Sequence, residues 1–172
     1  MQKLTIDYSQ YKGLVANICR QIVLENWQPD YIAGITRGGL LPAVMISQYL
    51  KVPMHSLNVS LRDNIDMMGP ESNLWMAEDA FGYQMDRPKN ILIVDDINDL
   101  GSTIKWIKQD WASGCLPNDP RWQDVWNKNV KFAVVVNNDA SEVKEIDYIG
   151  MHINKQEKDV WVDFPYEEWW MK

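Results

Sequence analysis

The chain is poor in cysteine, with only Cys19 and Cys115 among its 172 residues. Two cysteines provide neither a disulfide framework nor the paired Cys-x-x-Cys spacing of a metal site. Both are therefore predicted to be reduced thiols, which indicates a cytoplasmic protein. The sequence also lacks an apolar run long enough to span a bilayer, and its first residues do not resemble a signal peptide. We therefore expect no membrane association.

Positive charge is scarce as well, since 17 Lys and Arg residues stand against 24 Asp and Glu residues, for a formal net charge of −7. A surplus of negative charge repels a phosphate backbone, so we expect no binding to nucleic acid. Hydrophobic residues still make up 46% of the chain, which is enough to build a core. We predict one folded domain over residues 1–172.

Strand and helix patterns alternate along the chain. Buried strands are predicted over residues 31–35 and 91–94, two further strands over 132–136 and 148–153, and helices over residues 40–50 and 102–113. This alternation is typical of an α/β fold with a parallel sheet flanked by helices. In open sheets of this kind, ligands bind beyond the carboxyl ends of the strands.

Two stretches interrupt the alternation. Residues 62–90 show no sustained period and contain glycine and proline breaks, so they are predicted to form a long loop that covers a site. Residues 116–129 contain Trp122 and Trp126 together with two prolines, and we interpret this stretch as an insertion.

The most informative stretch follows the apolar run at 91–94. Asp95 and Asp96 are adjacent, Asp99 comes three positions later, and Gly101 precedes two hydroxyl residues. Adjacent carboxylates repel each other, so a cation, ligand hydroxyls or water are expected to share their site. Residues 99–103, here called the 99–103 loop, open a helix whose free N–H groups suit a phosphate. One short segment therefore predicts a polyol or metal site beside a phosphate site.

A second loop signal follows the strand at 31–35. Residues 36–39, here called the 36–39 turn, read Thr-Arg-Gly-Gly. Glycines after a buried strand let the backbone approach a ligand closely. The guanidinium of Arg37 adds a forked donor that is suited to phosphate oxygens.

These two segments carry a family resemblance. Residues 94–103, Val-Asp-Asp-Ile-Asn-Asp-Leu-Gly-Ser-Thr, resemble the 5-phosphoribosyl-1-pyrophosphate (PRPP) motif of type I phosphoribosyltransferases. Residues 36–42, Thr-Arg-Gly-Gly-Leu-Leu-Pro, resemble a segment of bacterial xanthine–guanine phosphoribosyltransferases. The resemblance implies a type I phosphoribosyltransferase fold, with residues 62–90 as a flexible hood. It also implies purine salvage, in which PRPP and a purine base give a nucleoside 5′-monophosphate and pyrophosphate.

The resemblance also implies roles for individual residues. Asp99 would act as the catalytic general base, and Asp95 and Asp96 would bind Mg²⁺. The residues that would bind PRPP are Asp95, Asp96, Asp99, Leu100, Gly101, Ser102 and Thr103. The residues that would hold the pyrophosphate are Thr36, Arg37, Gly38, Gly39 and Arg62. One departure stands out, because Leu100 occupies a position where the family has a threonine.

The base would be recognised by the chain end, residues 137–172. Residues 159–167 resemble the C-terminal segment of purine phosphoribosyltransferases, with Tyr166 in place of a second tryptophan. Trp161 would stack on the base, and the backbone of Val162 would contact its edge. Asn138 is the nearest candidate where xanthine–guanine enzymes carry a lysine that contacts the purine 6-oxo group. A 6-oxopurine (guanine, xanthine or hypoxanthine) is therefore the expected base, and a homodimer or higher homo-oligomer the expected assembly.

Other interpretations use the same residues. A non-catalytic regulator that senses PRPP on the same fold would tolerate Leu100 and a hood with few basic residues. A phosphoribosyltransferase for another base is also open, because stacking on Trp161 accepts any flat ring. A response-regulator receiver also places two acidic residues after a strand, but nearly a whole domain would have to follow them, and only residues 97–172 do.

Overall fold

The computed structural model describes residues 1–59, 61 and 73–172. Its helices are α1 (Tyr8–Glu25), α2 (Leu40–Leu50), α3 (Leu74–Phe81) and α4 (Ser102–Gly114). Its strands are β1 (Gln2–Thr5), β2 (Tyr31–Ile35), β3 (Met54–Leu57), β4 (Ile91–Asn98), β5 (Val130–Asn138), β6 (Tyr148–Ile153) and β7 (Val160–Asp163). Short 3₁₀ helices cover Pro120–Asp124 and Trp169–Met171.

The main sheet has five parallel strands in the order β3-β2-β4-β5-β6. The two ends of the chain form a second sheet, in which β1 pairs in parallel with β7. These observations confirm the predicted α/β fold with a parallel sheet. Within the described part of the chain, no helix has the length and apolar character needed to cross a membrane.

The central strand β4 is buried because helices cover both faces of the sheet. Leu92 and Val94 pack into the core on the side of α1 and α2, whereas Ile91 and Ile93 pack into the core on the side of α3 and α4. Side chains alternate between the faces of a strand, so a strand covered on both faces needs a continuous apolar run.

The N-terminal helix is fixed by a local cap and an apolar stripe. The Asp7 side chain accepts from the Gln10 N–H, and the Gln10 side chain accepts from the Asp7 N–H, which is a capping box. Tyr11, Val15 and Ile18 repeat at helical spacing and are buried. The helix therefore packs against the sheet and supports β6.

The structure corrects two predictions of secondary structure. The stretch 62–90 is not irregular throughout, because Leu74–Phe81 forms α3 and buries Met76 and Ala80. Eight residues are too few to display a helical period clearly, which is why the pattern was missed. The strand predicted over 91–94 runs on to Asn98, because polar residues also continue its ladder with β5. Residues 62–72 lie outside the described part of the chain.

The tryptophans of the 116–129 stretch complete the core on one face. Trp122 is buried, stacks on Trp126 at a centroid distance of 5.5 Å, and donates through its indole N–H to the Cys115 carbonyl oxygen. Trp126 in turn packs against Trp111 and Phe132. The stretch therefore stabilises the face of the sheet that α3 and α4 cover. Its description as an insertion stays a prediction.

Candidate active site

The carboxyl ends of β2 and β4 lie side by side, because the two strands pair in parallel with Gly34 opposite Val94. The chain turns sharply after β2, and an added Cβ at Gly39 would lie 2.2 Å from the Val94 carbonyl oxygen. Only glycine permits such an approach. The 36–39 turn and the acidic segment of β4 therefore meet at one edge of the sheet.

The 36–39 turn also contacts the second carboxylate of β4. An added Cβ at Gly38 would lie 2.1 Å from Asp96 Oδ2. Thr36 and Arg37 are exposed, the peptide bond between them is cis, and Thr36 Oγ1 donates to Asn58 Oδ1 at 2.9 Å. The turn thus presents one guanidinium and several backbone groups beside Asp96. Arg62, the other cation expected at this position, lies outside the described residues.

The adjacent carboxylates Asp95 and Asp96 are held by backbone and side-chain donors. Asp95 Oδ1 accepts the Asp96 N–H at 2.9 Å, and Asp96 Oδ1 accepts the Ile97 N–H at 2.8 Å. Tyr166 Oη donates to Asp96 Oδ2 at 2.8 Å. Burial, followed by the neighbouring charge of Asp96, raises the pKa of Asp95. Burial at this position therefore disfavours the charged form of Asp95.

A cavity of about 270 Å³ lies over the end of β4 and the start of α4, and residues 99–103 line it together with both carboxylates. Gly101 takes a φ of 91°, and an added Cβ would lie 2.7 Å from Val143 Cγ2, so the 99–103 loop needs glycine here. Among the described residues no side chain caps α4. The amide groups of its first turn are therefore available to an anion.

Leu100 departs from the polar character of this cavity. Its side chain is 69% exposed and lines the cavity beside Gly101 and Ser102. An apolar side chain cannot donate a hydrogen bond to a phosphate oxygen. The loop therefore has its backbone N–H groups and the hydroxyls of Ser102 and Thr103 as donors.

A smaller cavity of about 100 Å³, here called the Trp161 cavity, adjoins the first and shares Asp96 and Asp99 with it. Asp99, Lys155 and Val162 line it with Trp161, whose side chain is 54% exposed. Lys155 Nζ lies 2.9 Å from Asp99 Oδ2 in an ion pair. The cavity thus combines an aromatic face with adjacent negative and positive groups.

Asn138, which was expected to contact the base, is not among the residues that line the Trp161 cavity. It is 3% exposed, and its Nδ2 donates to the Asp99 carbonyl oxygen at 2.9 Å. Its Oδ1 accepts from the N–H groups of Ala140 and Lys155. The side-chain amide is therefore used in hydrogen bonds within the protein, and these bonds hold the backbone at Asp99 and Lys155.

Lys155 is the polar residue that the sequence motifs missed. It lies in the turn between β6 and β7, where a lysine among polar residues, with a second lysine at position 158, carries no distinguishing pattern. Its position beside Asp99 depends on the parallel pairing of β5 and β6 and on the side chain of Asn138. Neither contact is local in sequence.

The carboxylates of Asp95 and Asp96 suit a metal ion whose remaining ligands come from a bound substrate and water. Among the described residues, no group of three or more His, Cys, Asp or Glu side chains is placed to hold a metal ion by itself. Asp95 and Asp96 nevertheless line the same cavity. Mg²⁺ is commonly held by one or two carboxylates together with substrate phosphates and water, and the pair suits that mode.

Comparison with known proteins agrees with this geometry. Residues 7–169 match the family model described as the phosphoribosyl transferase domain, and the chain belongs to this family. It is 26% identical to xanthine phosphoribosyltransferase 1 of Saccharomyces cerevisiae over 61% of this chain and 58% of that protein. It is 28% identical to xanthine-guanine phosphoribosyltransferase of Chromohalobacter salexigens over 63% of this chain and 61% of that protein. The matches thus span about three fifths of both relatives.

A solved structure extends the likeness of fold to nearly the whole chain. The purine phosphoribosyltransferase of Pyrococcus horikoshii superposes with a TM-score of 0.67 and 23% sequence identity, covering 98% of this chain and 96% of that one. At this level of identity the match concerns the fold. It confirms the predicted type I phosphoribosyltransferase architecture.

Proposed function

We propose that this protein transfers the phosphoribosyl group of PRPP to a 6-oxopurine, giving a nucleoside 5′-monophosphate and pyrophosphate. The observation that carries the proposal is the ion pair of Asp99 and Lys155 in the Trp161 cavity. This cavity adjoins the 99–103 loop through the shared residue Asp99. A base and a phosphorylated sugar could therefore be bound in adjoining cavities.

The larger cavity has the groups that PRPP requires. The 99–103 loop supplies N–H and hydroxyl donors for the 5′-phosphate at the start of α4. Asp95 and Asp96 accept hydrogen bonds from the ribose hydroxyls, and the 36–39 turn with Arg37 binds the pyrophosphate. This division follows the order of the groups along the sheet edge.

Mg²⁺ is part of this proposal, with Asp95 and Asp96 as the residues that would hold it. When bound, Mg²⁺ supplies charge neutralisation on the departing pyrophosphate. Asp95, Asp96 and Asp99 all line this cavity, but within the described part of the chain no three such side chains are placed to hold a metal ion together, so the ion is expected to arrive with PRPP. Affinity for Mg²⁺ alone should therefore be weak.

The chemical step is a displacement at the anomeric carbon. The bond from that carbon to the pyrophosphate oxygen breaks, and a bond to a purine ring nitrogen forms. Asp99 accepts the proton that the ring nitrogen loses, which is general-base catalysis. Its carboxylate is held at Oδ2 by Lys155, and its backbone carbonyl is held by Asn138, so it is oriented before the base arrives. Exclusion of water would limit the hydrolysis of PRPP.

Base selection rests on the charge of Lys155. Guanine presents two adjacent acceptors, O6 and N7, on one edge, and lysine is suited to that edge. Adenine presents an amino group at the same position, which would face the ammonium donors of Lys155. Trp161 supplies the stacking face, and Val162 lies beside it in β7. Asn138 positions Asp99 and Lys155 through hydrogen bonds to their backbones and does not contact the base.

We also propose the wider setting that the family resemblance implies. Residues 1–172 work as one domain, with 137–172 as the base-recognition end. Both cysteines are free and buried, which is consistent with a cytoplasmic protein. A homodimer or higher homo-oligomer is expected, and sedimentation of the purified protein would measure it.

Release of pyrophosphate tests the proposal. PRPP and Mg²⁺ are supplied with guanine, xanthine, hypoxanthine, adenine or uracil, each in a separate reaction. We expect release with one or more 6-oxopurines and none with adenine or uracil. Binding of PRPP without release for any base would instead support the non-catalytic regulator that senses PRPP. Release with uracil would assign the protein to another base.

A further inference from the structure

Asp96 is the residue that the cavities of the site have in common. It lines the cavity of the 99–103 loop, the Trp161 cavity and a third cavity of about 450 Å³ beside Arg37 and Gly38. A small rotation of its carboxylate would therefore change all three. The structure must hold this side chain in one orientation if the three cavities are to act together.

Tyr166 supplies the contact that fixes this orientation. Its hydroxyl donates to Asp96 Oδ2 at 2.8 Å, while the Ile97 N–H occupies Oδ1 at 2.8 Å. The two oxygens are thus held from opposite ends. On the third side, the missing Cβ of Gly38 leaves the space that Oδ2 fills.

The phenol ring is itself held rigidly. It stacks on Phe164 with a centroid distance of 5.6 Å and an interplanar angle of 2°. It also meets the edge of Tyr11 at 6.0 Å and 89°. Phe164 and Tyr11 are 2% and 0% exposed, so the aromatic cluster belongs to the core and cannot turn away.

We propose that Tyr166 is a positioning residue that orients Asp96 for PRPP and ties the base-recognition end of the chain to the PRPP site. This inference rests on the proposed function, because it takes Asp96 as a contact to PRPP. It assigns a purpose to a residue that departs from the tryptophan of the resembled segment. A tryptophan could fill similar space, but its donor is an indole N–H in a different position.

The test is the affinity for PRPP of Tyr166→Phe, measured by calorimetry at fixed Mg²⁺ in the absence of any base. A hydrogen bond to a charged group is lost, so we expect affinity to fall about tenfold. Thermal unfolding should change little because the ring and its packing remain. In turnover, the KM for PRPP should rise while the KM for the base stays within about twofold.

Tyr11→Phe is the matched control. Tyr11 belongs to the same aromatic cluster, and among the described residues its buried hydroxyl has no hydrogen-bond partner. Removing that hydroxyl should leave the affinity for PRPP unchanged. A similar loss of affinity in both variants would mean that the cluster, rather than the contact to Asp96, matters, and would overturn the proposal.

A double-mutant cycle with Asp96→Asn identifies the path of the effect. If Tyr166 acts through the charge of Asp96, Tyr166→Phe should cost much less in the Asp96→Asn background than in the native protein. Equal costs in the two backgrounds, or unchanged affinity in Tyr166→Phe itself, would overturn the positioning role. Failure of the native protein to bind PRPP would instead overturn the proposed function.

Discussion

The PRPP edge of the site and the Trp161 cavity are built in different ways. The PRPP edge consists of two continuous segments, the 36–39 turn and residues 95–103, which follow neighbouring strands. The Trp161 cavity combines Asp99 with Lys155 and Trp161, and Lys155 follows Asp99 by 56 positions in the chain. The first is determined by local turns and glycines, whereas the second depends on long-range packing.

This difference explains why the sequence motifs indicated the residues of the PRPP edge but did not indicate Lys155 in the Trp161 cavity. At the PRPP edge, the proposed binding relies largely on backbone N–H groups of the 99–103 loop, so a leucine at position 100 leaves those donors in place. In the Trp161 cavity, the proposed chemistry depends on individual side chains. The side chain of Lys155 pairs with Asp99 in this cavity, whereas the side chain of Asn138 accepts a hydrogen bond from the Lys155 N–H.

The largest expected effect concerns the residue shared by both sides. Asp99→Asn removes the proton acceptor while keeping the size of the side chain, so turnover should fall by about 10²–10⁴-fold. The affinity for PRPP should change much less, because the amide groups of the 99–103 loop remain. Steady-state kinetics and calorimetry measure the two quantities. Asp124→Asn, at an exposed surface pair with Lys128, is the control, and native turnover in Asp99→Asn would remove Asp99 from the mechanism.

The next effect tests the close packing of the PRPP edge. Gly38→Ala would push Asp96 out of its contact with Tyr166, because the new Cβ would lie 2.1 Å from Asp96 Oδ2. Overpacking of this kind costs about 1–3 kcal/mol, and we expect a comparable loss of PRPP affinity in calorimetry. Gly13→Ala, where nothing lies within 4 Å of the added Cβ, should bind normally. Equal affinities in the two variants would contradict the packing argument.

A third prediction concerns the Trp161 cavity alone. Lys155→Met keeps the length of the side chain but removes its charge, so the KM for hypoxanthine should rise by about 10- to 100-fold. The affinity for PRPP measured without a base should stay close to that of the native protein. Lys158→Met, at an exposed position in the same turn region, controls for the loss of one positive charge. An unchanged KM for the base in Lys155→Met would exclude Lys155 from base recognition.

The smallest expected effect is a gain. Leu100→Thr adds a hydroxyl donor at an exposed position of the phosphate cavity, and we expect PRPP affinity to rise by up to about tenfold. Calorimetry with PRPP at fixed Mg²⁺ measures it. Leu24→Thr, at an exposed position of α1, should have no effect. A loss of affinity in Leu100→Thr would mean that the leucine itself contributes to binding.

The sequence was sufficient for the elements whose signals are local. Three elements were predicted within their observed bounds: the apolar run of β4, the helix Leu40–Leu50 and the strand Tyr31–Ile35. Their continuous apolar runs and helical spacing can be recognised in short windows of sequence. Helix α3 was missed because it has only eight residues. Its stability comes from packing against α4 rather than from its own pattern.

The predicted placement of the site residues was likewise correct where the signal is local in sequence and incorrect where it depends on contacts between distant residues. The acidic pair and the two loops were brought together as expected, since parallel strands align their carboxyl ends. Asn138 was expected to face the base, but its amide is consumed by Asp99, Ala140 and Lys155. Hydrogen bonds between residues far apart in sequence decide which polar group remains available, and no short motif encodes them.

The most direct measurement is a competition among bases in one reaction. Native protein, PRPP and Mg²⁺ are mixed with equal amounts of guanine, xanthine, hypoxanthine, adenine and uracil, and the nucleotides formed are identified by mass spectrometry. Lys155 beside Asp99 predicts that the products are 5′-monophosphates of 6-oxopurines. Formation of adenosine 5′-monophosphate as the main product, or of no nucleotide from any base, would contradict this account of the site.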